Sequence, residues 1–171
     1  MNDALNNIMT RRSYRSYLSD MPKREDIDAI VKAGLAAASG MNRQPVVIIA
    51  ICDKKTRDEY AAANASVMGR EGDPFYGAPV ILAVLARRDA PTHVYDGSLA
   101  LGNMMLAANA LGLGSCWIHR AREVFDMPKW RDLLKTLGLD GDYEGIGNLA
   151  LGYPYSEARS ITPNPDRAFF I

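Results

Sequence analysis

The spacing of hydrophobic and polar positions divides the chain into predicted helices and strands. Apolar residues recur three and four positions apart in 3–9, 27–38 and 96–111, which predicts three helices, with Gly40 ending the second. A polar, alanine-rich stretch at 54–65 predicts a surface helix, and 128–137, with proline near the first turn, predicts another. These five helices alternate with runs that have the character of strands.

Four runs are predicted to be strands. The first, at 46–52, is a continuous β-branched run, which predicts a central strand buried on both faces. Apolar runs at 79–86, 115–118 and 146–151 predict the other three. The element order alone favours a parallel, doubly wound sheet, but no glycine-rich dinucleotide fingerprint or phosphate-binding loop follows the first strand. Rossmann-type nucleotide binding is therefore disfavoured.

One segment, 97–119, contains no Asp, Glu, Lys or Arg and is long enough to cross a bilayer. Asparagine, serine and four glycines dilute its apolar character, and Gly112 and Gly114 would end a helix before the far side of a membrane. We therefore predict a buried central helix, with Leu101, Met104, Met105, Ala108 and Leu111 on its apolar stripe, and no association with a membrane.

Composition limits the possible functions. With 171 residues, 48% of them hydrophobic, we expect one domain over 1–171 that can bury a core. Lys plus Arg and Asp plus Glu each number 20, so no global positive field would attract nucleic acid. The isolated cysteines Cys52 and Cys116 and an N-terminus without signal-peptide features predict a cytoplasmic protein. No Ser-His-Asp pattern, HExxH motif or cysteine pair indicates hydrolytic or metal chemistry.

Two polar groups precede the first strand. Arg11, Arg12, Ser13 and Arg15 form the densest cationic cluster, and guanidinium groups with a hydroxyl can bind phosphate oxygens, although such clusters are also common on solvated surfaces. In the turn at 39–45, the amides of Asn42 and Gln44 could pair with the edge of a heterocycle or could satisfy turn carbonyls. Each group leaves both interpretations open.

A third group lies where the uncharged segment ends. Residues 112–120 run through two glycines into a short strand that ends at a basic, aromatic sequence, and glycine allows backbone to approach a ligand closely. The alternative is an ordinary helix-to-strand connection with Trp117 in the core and a structural His119.

The three groups occur in an order that resembles the nitroreductase family of flavin enzymes. RRSYRSY resembles that family's opening Arg-Arg-Ser-x-Arg-x-aromatic motif, and SGMNRQP its Asn-x-Gln-Pro turn. DPFYGAPVIL, GNMMLAANALGLGSCWI and IGNLALGYP resemble its middle strand entry, its long central helix with the following strand, and its last core strand. The resemblance implies an α+β fold with a central, mainly antiparallel sheet flanked by helices, and a homodimer that binds FMN.

The resemblance also implies roles for individual residues. Arg11, Arg12, Ser13 and Arg15 would bind the phosphate and ribityl end of FMN, with Arg15 also near the pyrimidine side. The turn bearing Ser39, Met41, Asn42 and Gln44 would reach the flavin bound mainly to the other subunit. Trp117, Ile118, His119 and Arg120 would pass over one flavin face, with the amide of His119 or Arg120 directed at the reactive ring nitrogen. Near the C-terminus, Arg167 or, less securely, Arg159 would contact the phosphate.

The implied activity is two-electron transfer from NAD(P)H to a small acceptor, such as a nitroaromatic compound or a quinone, by a ping-pong mechanism. The chain is shorter than the best-known family members, which leaves little room for the helices that cover their substrate channel. Reductive dehalogenation and flavin sequestration with little turnover are the alternatives. The tail at 155–171 is polar until its apolar end at 168–171, and we expect it to pack on the partner subunit.

Overall fold

The computed structural model describes residues 2–158 and 161–171. Within them, the helices, from α1 to α6, are Asp3–Thr10, Arg24–Leu35, Lys54–Met68, His93–Ala110, Ala121–Phe125 and Pro128–Thr136. The strands, from β1 to β4, are Val46–Ile51, Val80–Arg87, Gly114–Ile118 and Tyr143–Gly152. Two 3₁₀ turns occupy Gly40–Asn42 and Pro165–Arg167. The pattern located nine of the ten α-helices and strands and missed α5, which is only five residues long.

The four strands form one sheet in the order β1-β2-β4-β3, and every neighbouring pair is antiparallel. The parallel sheet that element order alone favoured is therefore wrong, and the antiparallel α+β fold that the resemblance implied is confirmed. Helix α3 connects the neighbouring strands β1 and β2, which run in opposite directions, whereas helix α4 connects β2 to β3, which run in the same direction but are separated by the antiparallel β4. Alternation of helices and strands does not by itself fix strand direction.

The prediction that the first strand is central is wrong, because among the described residues β1 pairs only with β2 and forms an edge of the sheet. Its run is apolar because both faces are covered: Val47 and Ile49 pack on one side of the sheet, and Val46 and Ile48 on the other. A continuous apolar run therefore indicates covered faces and does not indicate how many strands lie beside it.

Two apolar clusters lie on opposite faces of the sheet. On one face, α3, α5 and α6 cover Ile81, Ala83 and Leu85, and an aromatic group centred on Tyr60 fills the space between them. On the other face, α2 and α4 cover Val80, Leu82 and Val84. Gly145 of β4 lets α5 approach closely, since a Cβ there would lie 2.3 Å from the carbonyl carbon of Ala121.

Helix α4 is buried on one side only. Leu101, Met104 and Ala108 face the sheet as predicted, whereas Leu111 lies just beyond the helix and is exposed. On the outer side, Tyr95 is 71% exposed and Leu99 is 52% exposed, so the predicted burial holds for the inner side of the helix and not for its outer side in a single chain. Among the described residues, no helix combines the length and the apolar character that crossing a bilayer requires.

Helix α2 spans Arg24–Leu35, whereas the pattern predicted a helix over 27–38 that ends at Gly40. The helix therefore both begins and ends earlier in the chain than predicted. The intervening residues lead into the first 3₁₀ turn. At the other terminus, the described tail is irregular apart from the second 3₁₀ turn. Its apolar end is exposed in the single chain, with Phe169 at 86% and Phe170 at 96%.

Candidate functional site

The arginine cluster lies at one end of the sheet, where the chain leaves α1. The backbone amide of Tyr14 donates to the carbonyl of Ser115 at 3.0 Å, and the amide of Leu18 donates to the carbonyl of Tyr153 at 2.9 Å. These bonds hold residues 11–18 against the start of β3 and the end of β4. The sheet therefore fixes the backbone from which the arginine side chains project.

A cavity of about 670 Å³ opens beside this segment, within the size range of cofactor sites. Arg11, Arg12, Ser13 and Arg15 all line it, together with Tyr14, Ser16, Ser156, Glu157, Ala158 and Ile161. The structure thus brings all four residues of the first predicted group together.

The arginines of this cavity differ in what their guanidinium groups bind. Nη1 of Arg12 donates at 2.7 Å to the carbonyls of Met9 and Arg11, so part of this side chain closes the turn after α1. Nη1 of Arg11 is buried and has no hydrogen-bond partner within the described part of the chain. A buried cationic donor without an acceptor is costly, and phosphate oxygens would satisfy it, so these residues fit the phosphate of FMN.

The arginines of this cavity also affect the pKa values of two groups nearby. Burial raises the pKa of the Cys116 thiol, while Arg15, a hydrogen bond from Ser13 and Arg11 act in the opposite direction. Burial also raises the pKa of the Tyr17 phenol, against a smaller effect of Arg15. Burial outweighs the arginines at both groups, and the positive charge of the arginines is the part of this environment that would favour a bound anion.

A second cavity, of about 500 Å³, lies where β3 ends. Trp117, Ile118, His119 and Arg120 line one side of it, and residues 70–74 and Tyr76 line the other. The indole of Trp117 is 43% exposed and stacks on the His119 ring with their centres 5.4 Å apart, so the interpretation of Trp117 as a core residue is wrong. Residues 70–74 were not among the predicted site residues.

The backbone at Arg120 adopts a left-handed conformation, with φ at 74°. This region is unfavourable for residues other than glycine and is enriched at functional sites. Beneath it, the amides of Asn64 and Asn148 both donate to the His119 carbonyl, at 2.9 and 3.3 Å. The pattern did not identify these asparagines as site residues, although Asn148 stands out as a polar residue within an apolar strand.

The turn at 39–44 has a strained backbone as well. Met41, Asn42 and Gln44 have φ values of 54°, 53° and 47°, in the left-handed region. The amide nitrogen of Gln44 donates to Oγ of Ser39 at 3.0 Å, and its side chain donates to Oδ1 of Asn42 at 3.0 Å. Asn42 and Gln44 thus pair with each other and hold the exposed turn in one conformation.

The turn and the arginine cluster lie at opposite ends of α4. The amide of Gly40 donates to Asp96 in the first turn of α4 at 3.1 Å, whereas Asn109 in its last turn bonds Asn7 of α1 at 2.7 Å. Thirteen residues of helix separate Asp96 from Asn109, which corresponds to about 20 Å. Within one chain, the structure therefore does not bring the turn to the arginine cluster.

Arg167 lies in the second 3₁₀ turn, is exposed, and directs Nε toward the carbonyl of Asn164 at 3.5 Å. It does not line the cavity of Arg11 in the same chain, so its contact with a phosphate stays a prediction. The alternative candidate, Arg159, lies outside the described residues.

Comparison with known proteins agrees with this geometry. A nitroreductase of Bacteroides fragilis, crystallised with bound FMN, superposes with a TM-score of 0.90 at 27% identity and full coverage of both chains. A protein of Archaeoglobus fulgidus, provisionally named NADH dehydrogenase/NAD(P)H nitroreductase, is 32% identical over 98% of this chain and 97% of its own length. An NADPH-dependent FMN reductase of Bacillus subtilis is 28% identical over 90% of this chain and 67% of its own.

An antiparallel sheet between two helical layers, with a cationic cavity at the end of β3 and β4, defines an α+β fold of the nitroreductase type. The model of the nitroreductase family matches residues 8–75 and 66–153, which together span most of the chain. The chain belongs to the nitroreductase family, and the resemblance drawn from its sequence motifs is confirmed.

Proposed function

We propose that this protein binds FMN and transfers two electrons from NADH or NADPH to a small, flat acceptor by a ping-pong mechanism. The protein is an NAD(P)H-dependent flavin oxidoreductase, as family membership and its FMN-binding relatives indicate. One observation of the chain itself carries the assignment of the cofactor: the buried, unpartnered Nη1 of Arg11 in the cationic cavity. A nicotinamide nucleotide, a nitroaromatic compound and a quinone are the reactants that we propose for it.

The residues of the first cavity are assigned to the phosphate end of FMN. Arg11 would contribute the guanidinium donor that no protein group satisfies, and Ser13 a hydroxyl from the adjacent strand-like segment. Arg12 is partly committed to backbone carbonyls and would act mainly through its charge. Arg15, exposed on the cavity wall, would favour negative charge at the pyrimidine side of the ring.

The second cavity is assigned to the ring and to the acceptor. When bound, FMN supplies the hydride chemistry, and the chain contributes binding, orientation and protection from water. Trp117 and His119, stacked on each other, form an aromatic wall at the end of β3, and residues 70–74 form the facing wall. A slot between these walls would admit flat molecules in turn, which suits nicotinamide and a nitroaromatic or quinone acceptor.

A homodimer is part of this proposal. The turn bearing Ser39, Met41, Asn42 and Gln44 lies about 20 Å from the arginine cluster along α4, so it could complete a flavin site only in a second chain. The exposed outer side of α4, with Tyr95 and Leu99, offers an apolar surface for such a partner. The apolar end of the tail is a second surface that association would cover, as the sequence led us to expect.

We propose the class of acceptor from membership of the family and the cytoplasmic location from the composition. The two isolated cysteines favour a cytoplasmic enzyme, and NADH and NADPH are both candidate donors. Nitro compounds and quinones are good acceptors for many reduced flavins, so either class is a suitable first test.

The experiment that tests the proposal begins with the absorption spectrum of the purified protein and a titration of FMN into protein stripped of chromophore. We expect a flavin spectrum, one FMN per chain, and steady oxidation of NADH or NADPH when a quinone or nitroaromatic acceptor is present. Parallel lines in double-reciprocal plots would support the ping-pong order.

Two other outcomes have distinct meanings. Protein that takes up no added FMN would overturn the proposed function. Protein that binds FMN but oxidises neither nicotinamide, with any acceptor, would instead support a flavin-sequestering role. Release of halide from a halogenated aromatic substrate, without turnover of quinones, would favour reductive dehalogenation.

A further inference from the structure

Three buried side chains fix the peptide bond between His119 and Arg120 through hydrogen bonds on its core side. The amide of Asn64 donates to the His119 carbonyl at 2.9 Å, and the amide of Asn148 donates to the same oxygen at 3.3 Å. The Tyr60 hydroxyl donates in turn to Oδ1 of Asn148 at 2.6 Å. All three side chains are fully buried, which makes their arrangement part of the rigid core.

This arrangement fixes where the amide hydrogen of Arg120 points. In a trans peptide, the carbonyl and the following N–H lie in one plane and point in opposite directions, and the structure contains no cis peptide bond among its described residues. Because the His119 carbonyl points inward to Asn64 and Asn148, the Arg120 N–H points out of the core. His119 and Arg120 both border the second cavity, so this hydrogen is available to a ligand there.

We infer that Tyr60, Asn64 and Asn148 are positioning residues that aim the Arg120 N–H at the reactive ring nitrogen of FMN. The inference rests on the proposed function and deepens it, because the family resemblance left His119 and Arg120 as equal candidates for this amide. The left-handed backbone at Arg120 is consistent with a conformation imposed for this purpose, since only surrounding interactions can hold a non-glycine residue there.

The hydrogen bond from Asn64 carries an energetic cost, because it leaves a polar atom of Asn64 buried and unsatisfied. The His119 carbonyl accepts from both buried amides, and the Asn148 amide also donates to the Ile118 carbonyl at 3.4 Å, but Oδ1 of Asn64 is left buried without a partner in the described chain. An apolar residue at position 64 would remove that unsatisfied oxygen and would still leave Asn148 as a donor. The fold alone therefore does not require an amide at position 64, whereas precise aim of the Arg120 peptide does.

Oxidised FMN can accept a hydrogen bond at this ring nitrogen, whereas the reduced form carries a hydrogen there. A well-aimed N–H therefore stabilises the oxidised form selectively and lowers the reduction potential. In the variant Asn64→Leu, we expect FMN to remain bound and the ratio of its affinities in the two oxidation states to change roughly tenfold, which raises the two-electron potential by about 30 mV.

The experiment compares Asn64→Leu with the control variant Asn103→Leu. Asn103 also donates its amide to a backbone carbonyl, that of Ala33, at 3.1 Å, but it does so between α2 and α4. Tyr60→Phe is a milder second variant, because it keeps the aromatic packing and removes only the bond to Asn148. For each protein, the flavin potential and the NMR shift of the Arg120 amide, with and without FMN, are measured.

We expect the Arg120 amide of the native protein to shift strongly when FMN binds, and both the shift and the potential to change in Asn64→Leu and, less, in Tyr60→Phe. Asn103→Leu should behave as the native protein does. Bound FMN with the native potential and the native amide shift in Asn64→Leu and Tyr60→Phe would overturn the positioning role and leave the proposed function intact. Failure of the native protein to bind FMN would overturn the proposed function and the inference together.

Discussion

The guanidinium of Arg57, on α3, forms an ion pair with the carboxylate of Asp73, in the loop that borders the second cavity. Arg57 is buried and also donates from Nε to the carbonyl of Ala78 at 2.9 Å. Asp73 accepts the backbone amides of Phe75 at 2.9 Å and Gly77 at 2.8 Å. The buried guanidinium of Arg57 therefore holds both the loop at 70–74 and the residues that lead into β2. The wall of the second cavity that this loop forms depends on Arg57.

Replacing Asp73 with alanine should destabilise the protein and loosen this wall. The change leaves the buried Arg57 with the partly exposed Asp58 and the Ala78 carbonyl, and loss of a hydrogen bond between charged groups costs roughly 2 kcal/mol. We expect that decrease in the free energy of unfolding, measured by urea denaturation, together with faster tryptic cleavage after Arg70.

The control for Asp73→Ala is Arg24→Ala, which removes an exposed pair with Asp28 on α2. Exposed pairs contribute little, so we expect a change of less than about 1 kcal/mol. Equal effects of the two substitutions would contradict the structural role of Asp73.

Replacing Arg11 with methionine should weaken FMN binding without lowering the free energy of unfolding of the FMN-free protein. Without FMN, the buried Nη1 lacks a partner, so its removal should leave the unfolding free energy unchanged or higher. Loss of a charge-assisted bond to phosphate corresponds to roughly 10-fold to 100-fold weaker FMN binding. Fluorescence titration and denaturation of the FMN-free protein measure the two effects, and unchanged FMN affinity would remove Arg11 from the site.

The buried phenol of Tyr60 should make the protein less stable in alkali. Burial raises the pKa of Tyr60 well above its ordinary value, although the hydrogen bond to Asn148 partly opposes this. A raised pKa leaves stability intact below the unfolded-state value, near pH 10, and reduces it as the pH rises further, because only the unfolded chain ionises. Between pH 9 and pH 11, Tyr60 should account for a loss of about 1.4 kcal/mol.

Tyr60→Phe isolates this contribution. The variant should be less stable than the native protein at pH 8, where the hydrogen bond to Asn148 is lost, and should show a shallower decline above pH 10. Urea midpoints across that range measure the decline, and parallel pH profiles for the two proteins would contradict the assignment.

The apolar end of the tail should contribute to association and not to folding of a single chain. Phe169 and Phe170 are almost fully exposed, so replacing both with serine should leave the unfolding of a monomer unchanged. We expect the dimer to weaken at least roughly tenfold, as measured by sedimentation over a range of concentrations.

The control for the tail is Leu137→Ser, which removes an exposed apolar side chain at the end of α6. It should leave association unchanged. A native protein that sediments as a monomer at all concentrations would contradict the dimer, and with it the completion of the flavin site by the turn at 39–44.

The sequence by itself determined the elements and the family. Helical and strand periodicities are local properties, so α1, α4 and the four strands lie close to their predicted positions. The arginine cluster was identifiable because its four residues are adjacent in the chain, and the structure keeps them on one cavity wall. Motif order was sufficient to indicate the nitroreductase family.

Tertiary structure decided strand direction, the edge position of β1, and which residues meet. Tyr60, Asn64 and Asn148 are separated by up to 88 residues, and only the packing of α3 on β4 brings them to the His119 carbonyl. The length of α4 likewise sets the separation of about 20 Å between the turn at 39–44 and the arginine cluster of the same chain. Periodicity reports which faces of an element are covered, whereas contacts between distant residues depend on how the elements pack.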